Sequence, residues 1–355
     1  MTTVAWFGST SRGDGGRGCV TNCSGQDGAS GSSPLVSIGL PVFNGAAYVR
    51  QAIDSVLGQE YGALELIIQD NASTDATEEI CLDYAARDPR VRYERNPTNL
   101  GAAANYNLCF ERARGTYFKW AAHDDAIAPG YLAKTVAAMQ AAPDAVLCTT
   151  GVTEIDGLNR PLRSYANAFP GIGSASPARR FAAAIHTRHQ CEDFFGLFRR
   201  EALIGSELHG AYSGSDRVLL AEMALRGPWV SVPEPLFLHR EHENRYTRAI
   251  LLKDRRAAEL WQDPGRKAPQ RGPTFYGGVW RHYLRLVSKN LRSPADRVAC
   301  HAELLRWWFT DEHGLDVLRE MVARHPVLHA RIRAMKHRLL GASAQPRPGS
   351  LPELK

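Results

Sequence analysis

The chain has 355 residues, 44% of them apolar, and a formal net charge of +6 from 43 Lys and Arg against 37 Asp and Glu. This length suits one large domain or two modest ones with a sizeable core. The small excess of base fits a phosphorylated ligand or an anionic membrane surface, and it is too weak to argue for nucleic acid. The seven cysteines include no Cys-x-x-Cys pair, which excludes structural zinc and a disulfide framework and fits a reducing cytoplasm.

Residues 1–33 are rich in Gly and Ser and poor in aliphatic residues, so they cannot repay their ordering entropy and read as a disordered tail. From residue 35, Leu-Val-Ser-Ile-Gly-Leu-Pro-Val predicts a buried strand, with Asn44-Gly45 as a turn. Tyr48, Val49, Ala52, Ile53, Val56 and Leu57 recur at helical spacing. A second strand covers residues 64–70 and ends in Asp70. Asp75 and Glu78 then resemble a helix-start box for a helix to about residue 87. A short strand at 91–94 and a turn at Asn99-Leu100-Gly101 lead to a helix over 102–114. A third apolar strand, 116–122, runs into Asp124 and Asp125. Pro129 suits the first turn of a helix over 130–141, and residues 145–150 form another buried strand.

Strands and helices alternate through 34–150, which predicts an α/β fold: a Rossmann-like, mostly parallel sheet flanked by helices. Such sheets bind ligands at the carboxyl ends of their strands, where Asn44, Asp70 and Asp124 fall. Acids gathered at strand ends suit a hard divalent cation, Mn²⁺ or Mg²⁺, and such a cation commonly neutralises phosphate. From 150 to 245 the pattern loosens into α+β, with a strand-like run at 194–198 and a helix at 217–226 introduced by Ser213-Gly214-Ser215-Asp216. Beyond 250 the chain reads as a C-terminal helical extension to residue 341, in which Lys and Arg outnumber Asp and Glu, followed by a disordered tail over 342–355.

Residues 35–245 resemble the inverting nucleotide-sugar glycosyltransferases of family 2, which have the GT-A fold. The resemblance rests on four motifs in order. Val36-Ser37-Ile38-Gly39-Leu40-Pro41-Val42-Phe43-Asn44 looks like the first strand and loop. Asp70-Asn71-Ala72-Ser73-Thr74-Asp75 looks like the second-strand motif. Asn99-Leu100-Gly101 with Asn105 matches the next segment. Asp124-Asp125 falls at the Asp-x-Asp metal motif, whose first acid is replaced by Ala122.

The resemblance implies a domain over 34–250, with a nucleotide-binding half at 34–150 and an acceptor-binding half at 151–250. It implies a nucleoside diphosphate sugar bound by Pro41, Phe43, Asn44, Asp70, Asn71, Ser73, Asn99, His123, Asp124 and Arg240. Asp70 would contact the nucleobase or ribose, and His123 would stand in for part of the missing acid. A cation would be held by Asp124, Asp125 and His242. Asp216 would be the general base that takes the acceptor's proton, with the Glu192–Asp193 pair as its rival. The acceptor would be a glycan, a lipid-linked intermediate or a small molecule.

Two other readings compete. A nucleotidyltransferase would carry a Gly-rich, basic loop after the first strand, which Pro41-Val42-Phe43-Asn44-Gly45 is not. A catalytically silent nucleotide-sugar binder is favoured by Ala122 and opposed by Asp124, Asp125 and Asp216. No apolar run approaches the ~18 residues of a membrane-spanning helix. A cytoplasmic protein is expected. Trp261, Trp280, Trp307 and Trp308 in the basic extension suit either packing on the catalytic part or contact with the inner face of a membrane.

Overall fold

The structure is a computed structural model that describes residues 33–243, 245, 260–265 and 275–310. The expected tail over 1–33, apart from Ser33, lies outside the described residues, as do much of the expected extension before residue 275 and everything after 310. The described elements belong to one compact unit that begins at Pro34.

The first half is built on four parallel strands. β1 (Val36–Val42) lies between β2 (Leu64–Asp70) and β4 (Tyr117–Trp120), and β3 (Val91–Arg95) pairs with the outer edge of β2. Every residue of β1 and β2 is buried, as expected for strands covered on both faces. Helices α1 (Val49–Leu57), α2 (Thr77–Arg87) and α3 (Ala102–Glu111) make the crossovers. α1 turns Val49, Ala52, Ile53 and Val56 inward. α3 packs so tightly on β1 that a Cβ at Gly39 would lie 2.5 Å from the Cys109 Cβ. Because these strands are parallel, the carboxyl ends of β1, β2 and β4 open on one edge.

The second half completes a nine-stranded sheet, ordered β3-β2-β1-β4-β8-β6-β9-β5 with β7 on β6. β5 (Ala126–Ile127), β6 (Leu147–Ile155), β7 (Pro161–Tyr165), β8 (Leu197–Arg199) and β9 (Trp229–Arg240) mix orientations. β8 runs antiparallel to both β4 and β6, whereas β6 and β9 are parallel. The helices here are α4 (Tyr131–Ala141), α5 (Pro177–His186), the short α6 (Arg200–Leu203) and α7 (Ser215–Arg226).

Several local expectations are corrected. The run at 194–198 opens as a 3-10 turn, Glu192–Phe195, because both acids are drawn inward onto Asn167 and Tyr165. α4 starts one residue later than expected: Gly130, at φ 79°, ends the preceding loop, and Pro129 sits outside the helix. Asp75 lies before the helix start and binds Thr77 and Ala46 rather than acting as the cap of α2. Asp216 is inside α7 rather than before it, in the first turn, where an acid complements the helix dipole.

Helices α8 (Phe275–Asn290) and α9 (Pro294–Thr310) close the described chain. Val279, Tyr283, Leu286 and Val287 of α8 and Cys300, Leu304 and Trp307 of α9 join Phe181 and Ile185 of α5 and Val218, Ala221 and Leu225 of α7 in one core. The extension therefore packs on the helix that carries Asp216.

Candidate active site

The loops at the carboxyl edge are held by side chains that bind backbone. Asp70 is fully buried. Its Oδ1 accepts from Ser73 N at 2.8 Å and Ser73 Oγ at 2.6 Å, and its Oδ2 accepts from the Tyr93 hydroxyl at 2.8 Å. Arg95 Nε stands 3.6 Å from the same oxygen. Ser73 Oγ accepts from Asn44 N at 2.9 Å, while Asn44 Oδ1 accepts from Thr74 N at 2.8 Å. Asn44 has φ 52°, in the left-handed region that Asn tolerates. Asp70 thus shapes the loop through both of its oxygens.

Asn71 is committed in the same way. Its amide donates to Asn99 Oδ1 at 2.8 Å and to Gly101 O at 3.2 Å, and its Oδ1 accepts from Leu100 N and Asn96 Nδ2. Asn96 in turn binds Asn105 and Gln69. This chain of uncharged amides joins the ends of β2 and β3 to the start of α3. Asn71 and Asn99 thus hold the loop ends together. Pro41 is buried within β1, whereas Phe43 stands 40% exposed just beyond it, open to a planar partner.

After β4, the chain turns through His123, Asp124 and Asp125. The His123 ring lies over Gly45, where a Cβ would come within 2.6 Å of it. Asp124 is part-exposed, with Oδ2 2.8 Å from His242 Nε2. Burial raises the pKa of this carboxyl, but the rings of His123 and His242 outweigh it and hold the group below the usual carboxylate range. Asp125 turns the other way. Its Oδ1 accepts from Arg240 N at 2.8 Å and faces His239 Nδ1 at 3.4 Å, inside the fold. Asp125 Oδ1 is thus engaged by the end of β9, while Asp124 pairs with His242.

The Arg240 side chain is buried, with four of its donors bonded inside the fold. Nε binds Asp124 O, Nη1 binds Asp156 O and Asn159 Oδ1, Nη2 binds Gln51 Oε1, and the guanidinium lies 4.8 Å from the Tyr48 ring centroid. It clamps the turn after β4 to the end of β9.

Asp216, in the first turn of α7, is half-buried, with Oδ1 accepting from Arg217 N at 2.8 Å. The Cys191 thiol is pushed well up, by burial first and then by the Asp216 charge. His209, with Nδ1 3.0 Å from Ser215 Oγ, is lowered by burial against the opposing pull of Asp216. The rival pair is sequestered. Glu192 accepts from the Tyr165 hydroxyl, Asp193 accepts from Asn167, and burial together with the Glu192 charge pushes Asp193 up to about 7.

Burial raises the Tyr106 phenol most, and the charges of Asp124, Asp125 and Asp216 add to that rise. It packs against His209 at 5.0 Å and Phe194 at 5.9 Å between centroids. Sequence reasoning missed Tyr106 and His209. Tyr106 follows Asn105 directly, which was the available signal; His209 lies in a stretch without periodicity.

Among the described residues, no group of three His, Cys, Asp or Glu side chains is set to hold a metal ion. Asp124 and His242 form a pair, and a pair fits a cation that takes its remaining ligands from a diphosphate and water.

Residues 37–204 match the pattern of glycosyl transferase family 2. This segment belongs to that family. An uncharacterized glycosyltransferase of Rickettsia typhi is 43% identical over 97 residues, covering 27% of this chain and 29% of that protein. One from Haemophilus influenzae is 43% identical over 101 residues, covering 28% of this chain and 40% of that protein. The chain thus spans less than half the length of these curated relatives. Among solved structures, Staphylococcus aureus TarS 1–349 superposes with a TM-score of 0.56 at 14% identity, covering 82% of this chain and 81% of TarS, which shows a shared fold. The family 2 segment contains Asp70, Asp124 and Asp193, while Asp216, Arg240 and His242 lie beyond it.

Proposed function

We propose that the protein is a metal-dependent, inverting glycosyltransferase that moves a sugar from a nucleoside diphosphate donor to an acceptor hydroxyl. The observation that carries this reading is the Asp124–His242 pair, 2.8 Å apart just after β4, in a chain whose residues 37–204 match family 2. TarS has been crystallised with UDP-GlcNAc, which makes a uridine donor the first to try here.

In this reading Phe43 stacks on the nucleobase while Asn44 and His123 line the donor. Asp124 and His242 would hold Mn²⁺ or Mg²⁺, which when bound neutralises charge on the leaving diphosphate. The acceptor oxygen attacks the anomeric carbon from the face opposite the diphosphate and inverts it. Asp216 takes the hydroxyl proton as the new bond forms. His209 and Cys191 flank this carboxylate and fix its surroundings.

A silent nucleotide-sugar binder remains the second reading, because Ala122 stands where family members carry an acid. Asp216→Asn separates the two. The enzyme reading expects turnover to drop about 10²–10⁴-fold while donor binding, read as a thermal shift, stays within about twofold. Wild-type protein that binds a nucleotide but neither transfers nor hydrolyses any nucleotide sugar, with either cation, would establish the silent reading. Product from active protein should carry the inverted anomeric configuration by NMR.

A further inference from the structure

The exposed apolar residues of α9 form one stripe. Val298 is 69% exposed, Leu305 56% and Phe309 77%, and the exposed Ala302 lies between them. Positions 298, 302, 305 and 309 follow helical spacing on one face, over a length of about 16 Å. The opposite face, with Cys300, Leu304 and Trp307, is already buried in the core shared with α5 and α8, so the stripe is additional to the core. Trp280, Trp307 and Trp308, which suited either packing or membrane contact, do not form it. Trp307 is buried, and Trp280 and Trp308 pack on each other at 5.3 Å.

Beside it, α8 turns Arg281, Arg285 and Lys289 outward at spacings of four, again opposite its buried residues Val279, Tyr283 and Leu286. Arg292 is exposed in the connecting turn, and Arg306 flanks the stripe on α9. Residues 275–310 contain six Lys and Arg (281, 285, 289, 292, 297, 306) against two acids, Asp296 and Glu303. Some of these bases have protein partners: Arg285 stands 3.8 Å from Glu207 and Lys289 3.1 Å from Glu222.

We propose that the α8–α9 face docks on an anionic lipid surface, with Leu305, Phe309 and Val298 entering the interface and Arg281, Arg285, Arg292 and Arg306 meeting headgroup phosphates. Apolar residues inside a basic border are the pattern of surface-lying helices. A second copy of the chain would bring two basic stripes together, which like-charge repulsion opposes. A nucleic acid would leave the apolar stripe without a partner. Among the described residues, no helix is long and apolar enough to cross a membrane, so the contact is with the surface. The inference is independent of the sugar-transfer reading.

The test is flotation of the purified full chain with vesicles of phosphatidylcholine alone and with about a quarter phosphatidylglycerol. Binding is expected only to the anionic vesicles and should weaken as salt is raised. The double variant Leu305→Ser/Phe309→Ser should lose binding at least tenfold while keeping its thermal midpoint. Arg281→Gln and Arg292→Gln should each lower partitioning roughly fivefold. No binding to anionic vesicles, or equal binding by the double variant, would overturn the proposal. So would a double variant that loses several degrees of thermal midpoint, because the chain itself would then cover the stripe. A change from dimer to monomer by light scattering would assign the face to a second copy instead.

Discussion

His242 Nε2 lies 2.8 Å from Asp124 Oδ2, joining the chain that leaves β9 to the turn after β4. A carboxylate and an imidazole side by side form a mixed oxygen and nitrogen donor pair, which suits Mn²⁺ better than Mg²⁺. His242→Ala should raise the Mn²⁺ concentration needed for half-maximal donor binding about 10–100-fold, with a smaller effect on Mg²⁺. Asp124→Asn should abolish the metal response. Calorimetric titration of metal and nucleotide together reads both.

Arg240 distinguishes scaffold from ligand. Its buried guanidinium holds Asp124 O, Asp156 O, Asn159 and Gln51. Arg240→Met removes these bonds, leaves buried carbonyl acceptors unsatisfied, and should destabilise the fold by about 1–3 kcal/mol for each acceptor that water cannot reach. Urea unfolding measures the loss. If Arg240 gripped diphosphate instead, the variant would keep its stability and show only a raised KM.

Asn71→Ala should act at the other end of the site. It leaves Leu100 N, Asn96 Nδ2 and Asn99 Oδ1 without their present partner. Unsatisfied buried groups cost about 1–3 kcal/mol each where water cannot replace the bond. The expected result is a lowered thermal midpoint and weaker nucleotide binding together, with the metal preference unchanged.

Lys119 predicts a pH dependence. It is fully buried in β4, bonds Phe195 O, and lies 4.7 Å from the Tyr131 ring centroid. Burial pushes its amine down to about 7 against the opposing charge of Asp125. The folded state therefore holds this proton less tightly than the unfolded chain does. Between about pH 7 and 10.5 the unfolded state binds more protons, so this group makes stability rise with pH through that window. The full penalty applies below pH 7. Lys119→Met should stabilise the protein most at pH 6, on the order of 3–5 kcal/mol, and the gain should fade towards pH 10. A uniform effect at all pH values would mean that packing, not charge, is responsible.

The first half of the fold could be read from the sequence because buried parallel strands are continuous apolar runs. The strand expected at 64–70 is β2 (Leu64–Asp70), residue for residue. β9 was missed because Pro233 and Pro235 interrupt its pattern; the structure accommodates them at register shifts opposite Thr150, Gly151 and Val152. The acids at strand ends were equally visible, but their directions were not. Asp124 and Asp125 are adjacent, and only the backbone amide of Arg240 and the ring of His239, more than a hundred residues away, turn Asp125 inward. Long-range partners of that kind leave no mark on local periodicity, and the same holds for the burial of Asp70 beneath Tyr93.

The packing of α8 and α9 on α5 and α7 sets where this protein can be cut. A fragment ending at residue 204, the last position of the family segment, would lack α7 altogether. One ending after β9 would keep α7 but leave Phe181, Val218, Ala221 and Leu225 facing water, an apolar surface that invites aggregation. A piece that keeps this core therefore reaches at least to α9, and grafting the catalytic part into another protein means carrying both closing helices with it.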